Sequence, residues 1–263
     1  MSKLPQISAS SDGLPHCTTC NDMRVVRMDL PVTHPDFGKL EPCPDCGHLA
    51  RQARAHALFR MKQERIARYT QARGRALHQT FETFDLREGE EKHTASVRRA
   101  YQAALDFATT LEGWLILCGT NGTGKSHLAA AIANYQATLS EACQPLTLFI
   151  TAPDLLDLLR SGFSGSGEGD YHDLLDLCRT VDLMILDDLG VEKETDWAFE
   201  KLFQVLNHRY QAEAPTVIIT NCRLEELEPR LYDRLSDEDL CVRVTVLASS
   251  YRQRSLSPGR VVQ

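Results

Sequence analysis

Residues Gly119, Thr120, Asn121, Gly122, Thr123, Gly124, Lys125 and Ser126 fit the phosphate-binding pattern G-x-x-x-x-G-K-[ST] at every required position. Glycines in such a loop let the backbone turn so that successive N–H groups face phosphate oxygens. Lys125 supplies a point charge for the β- and γ-phosphates of ATP, and Ser126 a hydroxyl for Mg²⁺. A second set of oxygens stands at Asp187 and Asp188, directly after the apolar run Leu183-Met184-Ile185-Leu186. A carboxylate at the end of a buried strand beside a phosphate loop is where Mg²⁺ is held. Asp187 takes that role, through metal-bound water, and Asp188 orients or deprotonates the attacking water. A solvated acidic turn is the competing reading, and the apolar run before it argues against that. Asn221 ends a further apolar run and is placed to hydrogen-bond the γ-phosphate or the lytic water. Taken alone it is equally a turn former.

Two C-x-x-C pairs, Cys17/Cys20 and Cys43/Cys46, are separated by 22 residues. Each pair can clasp one side of a tetrahedral Zn²⁺ through its thiolates. Asn21 after the first pair and Gly47 after the second suit the tight turns that aim N–H groups at sulfur. Disulfides are disfavoured in a cytosolic chain, and a redox C-x-x-C would need only one pair. His16, His34 and His48 stand close enough in sequence to replace a thiolate. The other cysteines, Cys118, Cys143, Cys178, Cys222 and Cys241, lie mostly in apolar runs and read as small buried hydrophobes.

These groups need elements to hold them. Strands are expected near 114–118, 146–150, 182–187, 216–220 and 242–246, with helical stretches between them. That alternation implies an α/β fold with a parallel sheet covered on both faces. The phosphate loop then joins a buried strand to an Ala-rich helix whose N-terminal dipole faces the anion. Residues 24–30 suit one strand of a small ribbon between the cysteine pairs. About 50 residues with few large apolar side chains fold poorly without a metal. Four regions follow: a zinc-binding domain over 1–47, a basic helical linker over 48–79, a nucleotide domain over 80–256 and a tail over 257–263. The Gly/Ser-rich stretch 161–170 is expected to be a mobile loop.

The formal charge of −7 argues against a generally basic nucleic-acid binder. Charge is uneven, however. Arg51, Arg54, Arg60, Lys62, Arg65, Arg68, Arg73 and Arg75 face a single acid, Glu64, whereas 154–200 is acidic. The basic segment is either a solvated linker helix or a contact for a protein partner or DNA, and its imbalance favours a contact. No run of about 18 apolar residues is present, and the N-terminus lacks a signal-peptide core. A cytoplasmic protein with no membrane contact is expected.

The segments GTNGTGKSHLAAAIAN, LMILDDLG, TDWAFEKLFQVLNHRY and TVIITN together resemble the DnaC/IstB-type branch of the AAA+ P-loop ATPases. The resemblance covers about Thr80 to Arg254. It implies an AAA+ core with a parallel sheet between helices, Asp187 as the Walker B acid, Asp188 in the place of the catalytic Glu, and Asn221 as sensor 1. Arg230-Leu231-Tyr232-Asp233-Arg234 resembles the segment that supplies an arginine finger to a neighbouring subunit. Arg234 is favoured for that role and Arg230 is second. On sequence alone both would pair with Glu226, Glu228 or Asp233. The segment 80–84 would lie beside the adenine, and Ser250-Tyr251-Arg252 resembles a short motif near the family's C-terminus. Only about 40 residues follow Asn221, so no full helical lid is expected.

The cysteine array resembles the zinc-binding N-domain with which some helicase loaders dock on the replicative helicase. The resemblance therefore implies an ATP-dependent loader of a replicative DNA helicase onto single-stranded DNA during replication initiation, self-associating through its ATP sites. An IstB-type transposition helper that selects target DNA is the alternative in the same fold. A nucleotide-gated binding module with negligible hydrolysis is the alternative outside it. In replication-initiator ATPases an extra helical element between the second strand and the Walker B strand lines a DNA channel. Arg160, Ser161, Phe163 and Tyr171 are the candidates there, against several acids.

Overall fold

The computed structural model describes residues 14–70, 74–86, 91–140, 144–164, 168–190 and 196–251. The chain divides into two compact units, one up to Arg65 and one from Ile66 onward.

In the first unit, β1 (Val25–Arg27) and β2 (Leu40–Pro42) form an antiparallel ribbon with Val26 opposite Glu41. This is the ribbon expected between the cysteine pairs. Its interior consists of the four cysteines themselves, with Val26 against them. Asn21 adopts the expected left-handed conformation, and Asp22 and Arg24 adopt it as well. Gly47 makes no turn of that kind. It opens α1 (Gly47–Ala67), donating its N–H to the Cys43 carbonyl at 2.8 Å. The basic segment is thus helical over most of its length. After residues 71–73, Arg73 among them, which lie outside the described residues, a short 3₁₀ helix covers Gly74–His78.

The second unit is a five-stranded parallel sheet. Its strands are β3 (Trp114–Cys118), β4 (Thr147–Thr151), β5 (Leu183–Leu189), β6 (Thr216–Thr220) and β7 (Cys241–Thr245), in the order β4-β5-β6-β3-β7. Each matches an expected strand to within two residues. The apolar runs of β3, β4, β5 and β6 are continuous because both faces are covered, while the edge strand β7 is interrupted by Arg243 and mostly exposed. On one face α2 (Glu91–Thr110) and α3 (Lys125–Ala137) bury Ala100, Phe107, Leu128 and Ile132. On the other, α4 (Ala152–Ser164), α5 (Glu168–Thr180), α6 (Asp196–Gln211) and α7 (Pro229–Leu235) bury Leu155, Leu159, Leu174, Leu202 and Leu231. The strand order has a functional consequence. With β6 between β5 and β3, the carboxyl ends carrying Asp187, Asn221 and the phosphate loop lie side by side, where open parallel sheets bind ligands.

The expected loop over 161–170 is largely helix. Residues 161–164 complete α4 and 168–170 begin α5, while 165–167 lie outside the described residues. Thr151 caps α4 by accepting the Asp154 N–H at 3.2 Å. Gly162 serves packing and not a turn, because a Cβ there would lie 3.2 Å from the Tyr171 backbone. Its missing side chain lets the two helices close on each other.

Arg209 is fully buried in α6. Its guanidinium donates to the carbonyls of Cys178, Val181 and Pro215 and to the Thr216 hydroxyl. It thereby satisfies carbonyls left open at the end of α5. Burial lowers its pKa to about 10. Among the described residues no helix is long and apolar enough to cross a membrane. The tail over 257–263 lies outside the described residues, as do Arg252 and the rest of the stretch where a lid would begin.

Candidate functional site

The phosphate loop leaves β3 and enters α3 through Gly124, whose φ of 106° is open to glycine and strained for other residues. A Cβ there would also stand 2.9 Å from the Phe84 ring. Lys125 follows, almost wholly buried. Its ammonium donates to the carbonyls of Gly119 at 2.7 Å and Thr120 at 2.8 Å, and to Asn221 Oδ1 at 2.8 Å. The Asn221 amide in turn donates to Asp188 Oδ1 at 3.1 Å. Lys125, Asn221 and Asp188 therefore form one hydrogen-bonded line across the ends of β3, β6 and β5.

Asp187 and Asp188 sit where β5 leaves its ladder. Leu186 pairs with Ile218 but Leu189 with Thr220, so β5 carries one extra residue, a bulge. Thr220 donates its hydroxyl proton to the Leu189 carbonyl at 2.7 Å and holds the far side of the bulge. Asp188 takes a φ of 56°, unusual for a residue with a side chain. This backbone turns the two carboxylates apart. Asp187 stays buried and accepts the Asp188 N–H at 2.8 Å. Asp188 lines the cleft. Burial raises the Asp187 pKa, and a hydrogen bond from Ser126 partly offsets that. The Ser126 and Asp187 oxygens are thus neighbours, as two ligands of one hard cation must be.

The cleft above the loop has a volume of about 690 Å³. Thr83 and Phe84, expected beside the adenine, line it. So do Arg75, His78 and Gln79, which sequence reasoning left in the linker. Their segment is pinned to α3. Asn134 donates to the Ala76 and Gln79 carbonyls at 2.9 and 2.8 Å, and His127 Nε2 lies 3.0 Å from the Thr80 carbonyl. Nothing in the residue spacing announces this wall. An Asn two turns into α3 was the only clue. Tyr251 also lines the cleft and donates its N–H to the Gly122 carbonyl at 2.8 Å.

In the first unit the Sγ atoms of Cys17, Cys20, Cys43 and Cys46 all lie within 4.8 Å of one another. Cys17 and Cys43 are 3.8 Å apart, Cys20 and Cys46 3.4 Å. Zn–S bonds of about 2.3 Å in a tetrahedron require sulfurs about 3.8 Å apart, so the four thiols fit that ion. The Arg24 N–H reaches Cys20 Sγ at 3.3 Å, an outer contact typical of such knuckles. None of the three histidines joins the cluster. His16 is instead 2.7 Å from Asp22, whose other oxygen accepts the Cys17 N–H at 2.8 Å.

A sequence profile of the IstB-like ATP binding proteins matches residues 48–256. The chain belongs to that family. The replicative helicase loader DnaC of Escherichia coli (strain K12) is 31% identical over 163 residues, 62% of this chain and 64% of that protein. The chain thus aligns with under two thirds of that relative's length. DnaC of Buchnera aphidicola subsp. Baizongia pistaciae is 27% identical over 207 residues, covering 79% of this chain and 81% of the relative. Among solved structures, a DnaC helicase loader superposes with a TM-score of 0.52 at 23% identity, over 66% of this chain and all of that one, which establishes the AAA+ fold.

Within this IstB-like fold the two finger candidates lie on α7 and both have partners. Arg230 donates to Glu228 at 3.0 Å and to Glu200 at 2.9 Å, with the Phe199 and Phe203 rings beneath its guanidinium. Arg234 donates to Asp233 at 2.6 Å and lies over the Tyr210 ring. Glu228 and Asp233 were anticipated, while Glu200 and the rings were not. Neither arginine lines the cleft of its own chain.

Of the DNA-channel candidates, Arg160 is exposed but pairs with Asp157 at 3.0 Å and lies over Trp197. Tyr171 is buried against α4, so it offers no stacking surface. The Phe163 side chain lies outside the described residues.

Proposed function

We propose that the chain is an ATP-hydrolysing loader that places a replicative DNA helicase on single-stranded DNA. The observation that carries this reading is its kinship with DnaC across the ATPase fold, joined to a four-thiol centre at the N-terminus. ATP would enter the cleft with its phosphates on residues 119–126. Mg²⁺ would be held by Ser126 and Asp187, supplying positive charge against the phosphate oxygens. Asp188 holds the lytic water, and Asn221 ties that carboxylate to Lys125, so the state of the phosphate is felt across three strand ends. Hydrolysis would be completed by Arg234, or by Arg230, from a neighbouring subunit. The regions 1–47, 48–79 and 80–256 would then be docking module, linker and motor.

Zinc held by Cys17, Cys20, Cys43 and Cys46 would fix the docking module, whose ribbon has little other core. The purified chain should carry about one zinc, by the ligand count of such centres. A Cys43→Ser/Cys46→Ser variant should lose the metal and the capture of the organism's own replicative helicase, yet bind ATP as the parent does. Full zinc content in that variant would sink the centre. The whole reading fails if the intact chain with ATP neither captures the helicase nor deposits it on circular single-stranded DNA.

The family's other branch, the transposition helpers, is the second reading, favoured by the profile's own name. The same capture experiment run with a cognate transposase separates the two.

A further inference from the structure

Helix α1 is 21 residues long, about 32 Å at 1.5 Å per residue. Gly47 and Ile66 are buried, Leu49, Ala50, Phe59, Gln63 and Arg65 are half-buried, and the rest of it is exposed. Arg51, Arg54, Leu58, Met61 and Lys62 follow the spacing that puts side chains on one helical face. All five are exposed, Leu58 at 54% and Met61 at 66%. Among the described residues Arg51, Arg54 and Lys62 form no ion pair. The only acid of the helix, Glu64, lies off this face, and Arg60 lies on the opposite side. Three unpaired cations therefore stand along about 16 Å of one face, in a chain whose net charge is −7.

The chemistry of the face selects its occupant. A lipid-surface helix gathers its apolar residues on one side and its cations on the other. Here Leu58 and Met61 lie among the cations, while Leu49 is nine residues from Leu58 and hence opposite it. A partner protein needs an apolar core to its interface, commonly within about 800 Å² per side. Two apolar side chains hemmed by arginines and a lysine do not make one. A regularly spaced polyanion needs neither, because its affinity comes from neutralised phosphates and released counterions.

We propose that the Arg51/Arg54/Lys62 face of α1 binds the phosphate backbone of single-stranded DNA without reading its sequence, Leu58 and Met61 covering sugar and base surface between the cations. The proposal rests on the loader reading for the choice of polyanion, and it assigns the strand to a surface outside the ATPase unit.

The test is fluorescence anisotropy of the full chain with a labelled oligo(dT) of about 25 nucleotides, without helicase, from 50 to 200 mM NaCl. Three phosphate contacts contribute about −2 to the slope of log K against log salt for a single strand. An Arg51→Gln/Arg54→Gln/Lys62→Gln variant should lose that much slope and bind about 100-fold more weakly near 0.1 M salt, the same contribution expressed as affinity. Arg60→Gln, on the far face, should change little. An Arg51→Lys/Arg54→Lys variant should keep the slope, since the effect counts charges. Circular dichroism and ATP binding confirm that each variant is folded.

Parental affinity and slope in the triple variant overturn the proposal and leave the loader reading standing. So does an equal loss in Arg60→Gln, which would mark a net-charge effect. Loss of helicase capture with DNA binding intact overturns it in favour of a protein partner. If the parent binds no oligo(dT) at all, both the proposal and the strand-loading reading fall.

Discussion

Asp188→Asn is expected to bind ATP like the parent and to turn it over about 10²–10⁴-fold more slowly, the range that a positioned base contributes. The structure makes this a clean substitution. Asp188 has a φ of 56°, a conformation that asparagine tolerates far better than most residues. Asn221 donates to Asp188 Oδ1, and an amide oxygen there can still accept. Only the charge and the basicity are lost. Asp188→Ala would mix that loss with backbone strain of about 1–2 kcal/mol and so is the poorer probe. Lys125→Ala should fail earlier, at binding. Lys125 is buried and donates to two loop carbonyls and to Asn221, so its removal takes away the phosphate's counter-charge and the tie between three strand ends. A loss of charged hydrogen bonds worth about 1.5–3 kcal/mol corresponds to roughly 10- to 150-fold in affinity. Calorimetric ATP titration and steady-state phosphate release distinguish the two variants. Parental turnover in both would place hydrolysis outside this cleft.

What these variants probe was legible in the sequence wherever the signal is local. A continuous apolar run bounded by turn residues identifies a buried parallel strand, and β3, β4, β5 and β6 were readable on that basis, whereas the edge strand β7 is interrupted by Arg243 and largely exposed. The proposed phosphate and Mg²⁺ roles of Lys125, Ser126 and Asp187 rest on residue type and spacing alone, and the sheet brings the elements that carry them to one end. Tertiary geometry was not legible. The bulge at Asp187 and Asp188 arises from pairing between β5 and β6, which neither strand announces alone. Arg209 reads as one more basic residue on a helix, and its burial depends on carbonyls some 30 positions earlier meeting α6.

Glycine misled in one place. In 161–170 it reads as a loop former, yet Gly162 is a point of close approach between α4 and α5, and the capped apolar face of α4 carries the helix through it. The cleft wall of Arg75, His78 and Gln79 was hidden for a different reason. Its contacts with α3 run through backbone carbonyls, which have no residue signature.

The composite site is the part of the proposed mechanism that a single chain leaves open, and its expected effect is of comparable size. An arginine finger acts on a neighbour's ATP, so Arg234→Ala should bind ATP normally and lose oligomer-dependent hydrolysis, on the order of 10³-fold by comparison with other phosphoryl-transfer systems. The ion pair that Arg234 makes within its own chain does not oppose this. Its partner Asp233 is 72% exposed, and such surface pairs contribute about 0–1 kcal/mol. Its other holds are a long hydrogen bond to Asn207 at 3.3 Å and the Tyr210 ring, so release toward an incoming phosphate breaks one exposed ion pair and one weak hydrogen bond. Arg230 is held by two carboxylates and two aromatic rings, which makes it the harder of the two to redeploy. Mixing Arg234→Ala with Lys125→Ala tests the assignment. The first variant keeps an intact phosphate loop and the second an intact finger. Where the loop of one meets Arg234 of the other, a complete site forms, and part of the activity should return. If mixed oligomers form and activity stays at the level of the separate variants, Arg234 does not act across the interface. Arg230→Ala then takes its place in the same mixture, and recovery there would move the finger one helical turn towards the N-terminus of α7.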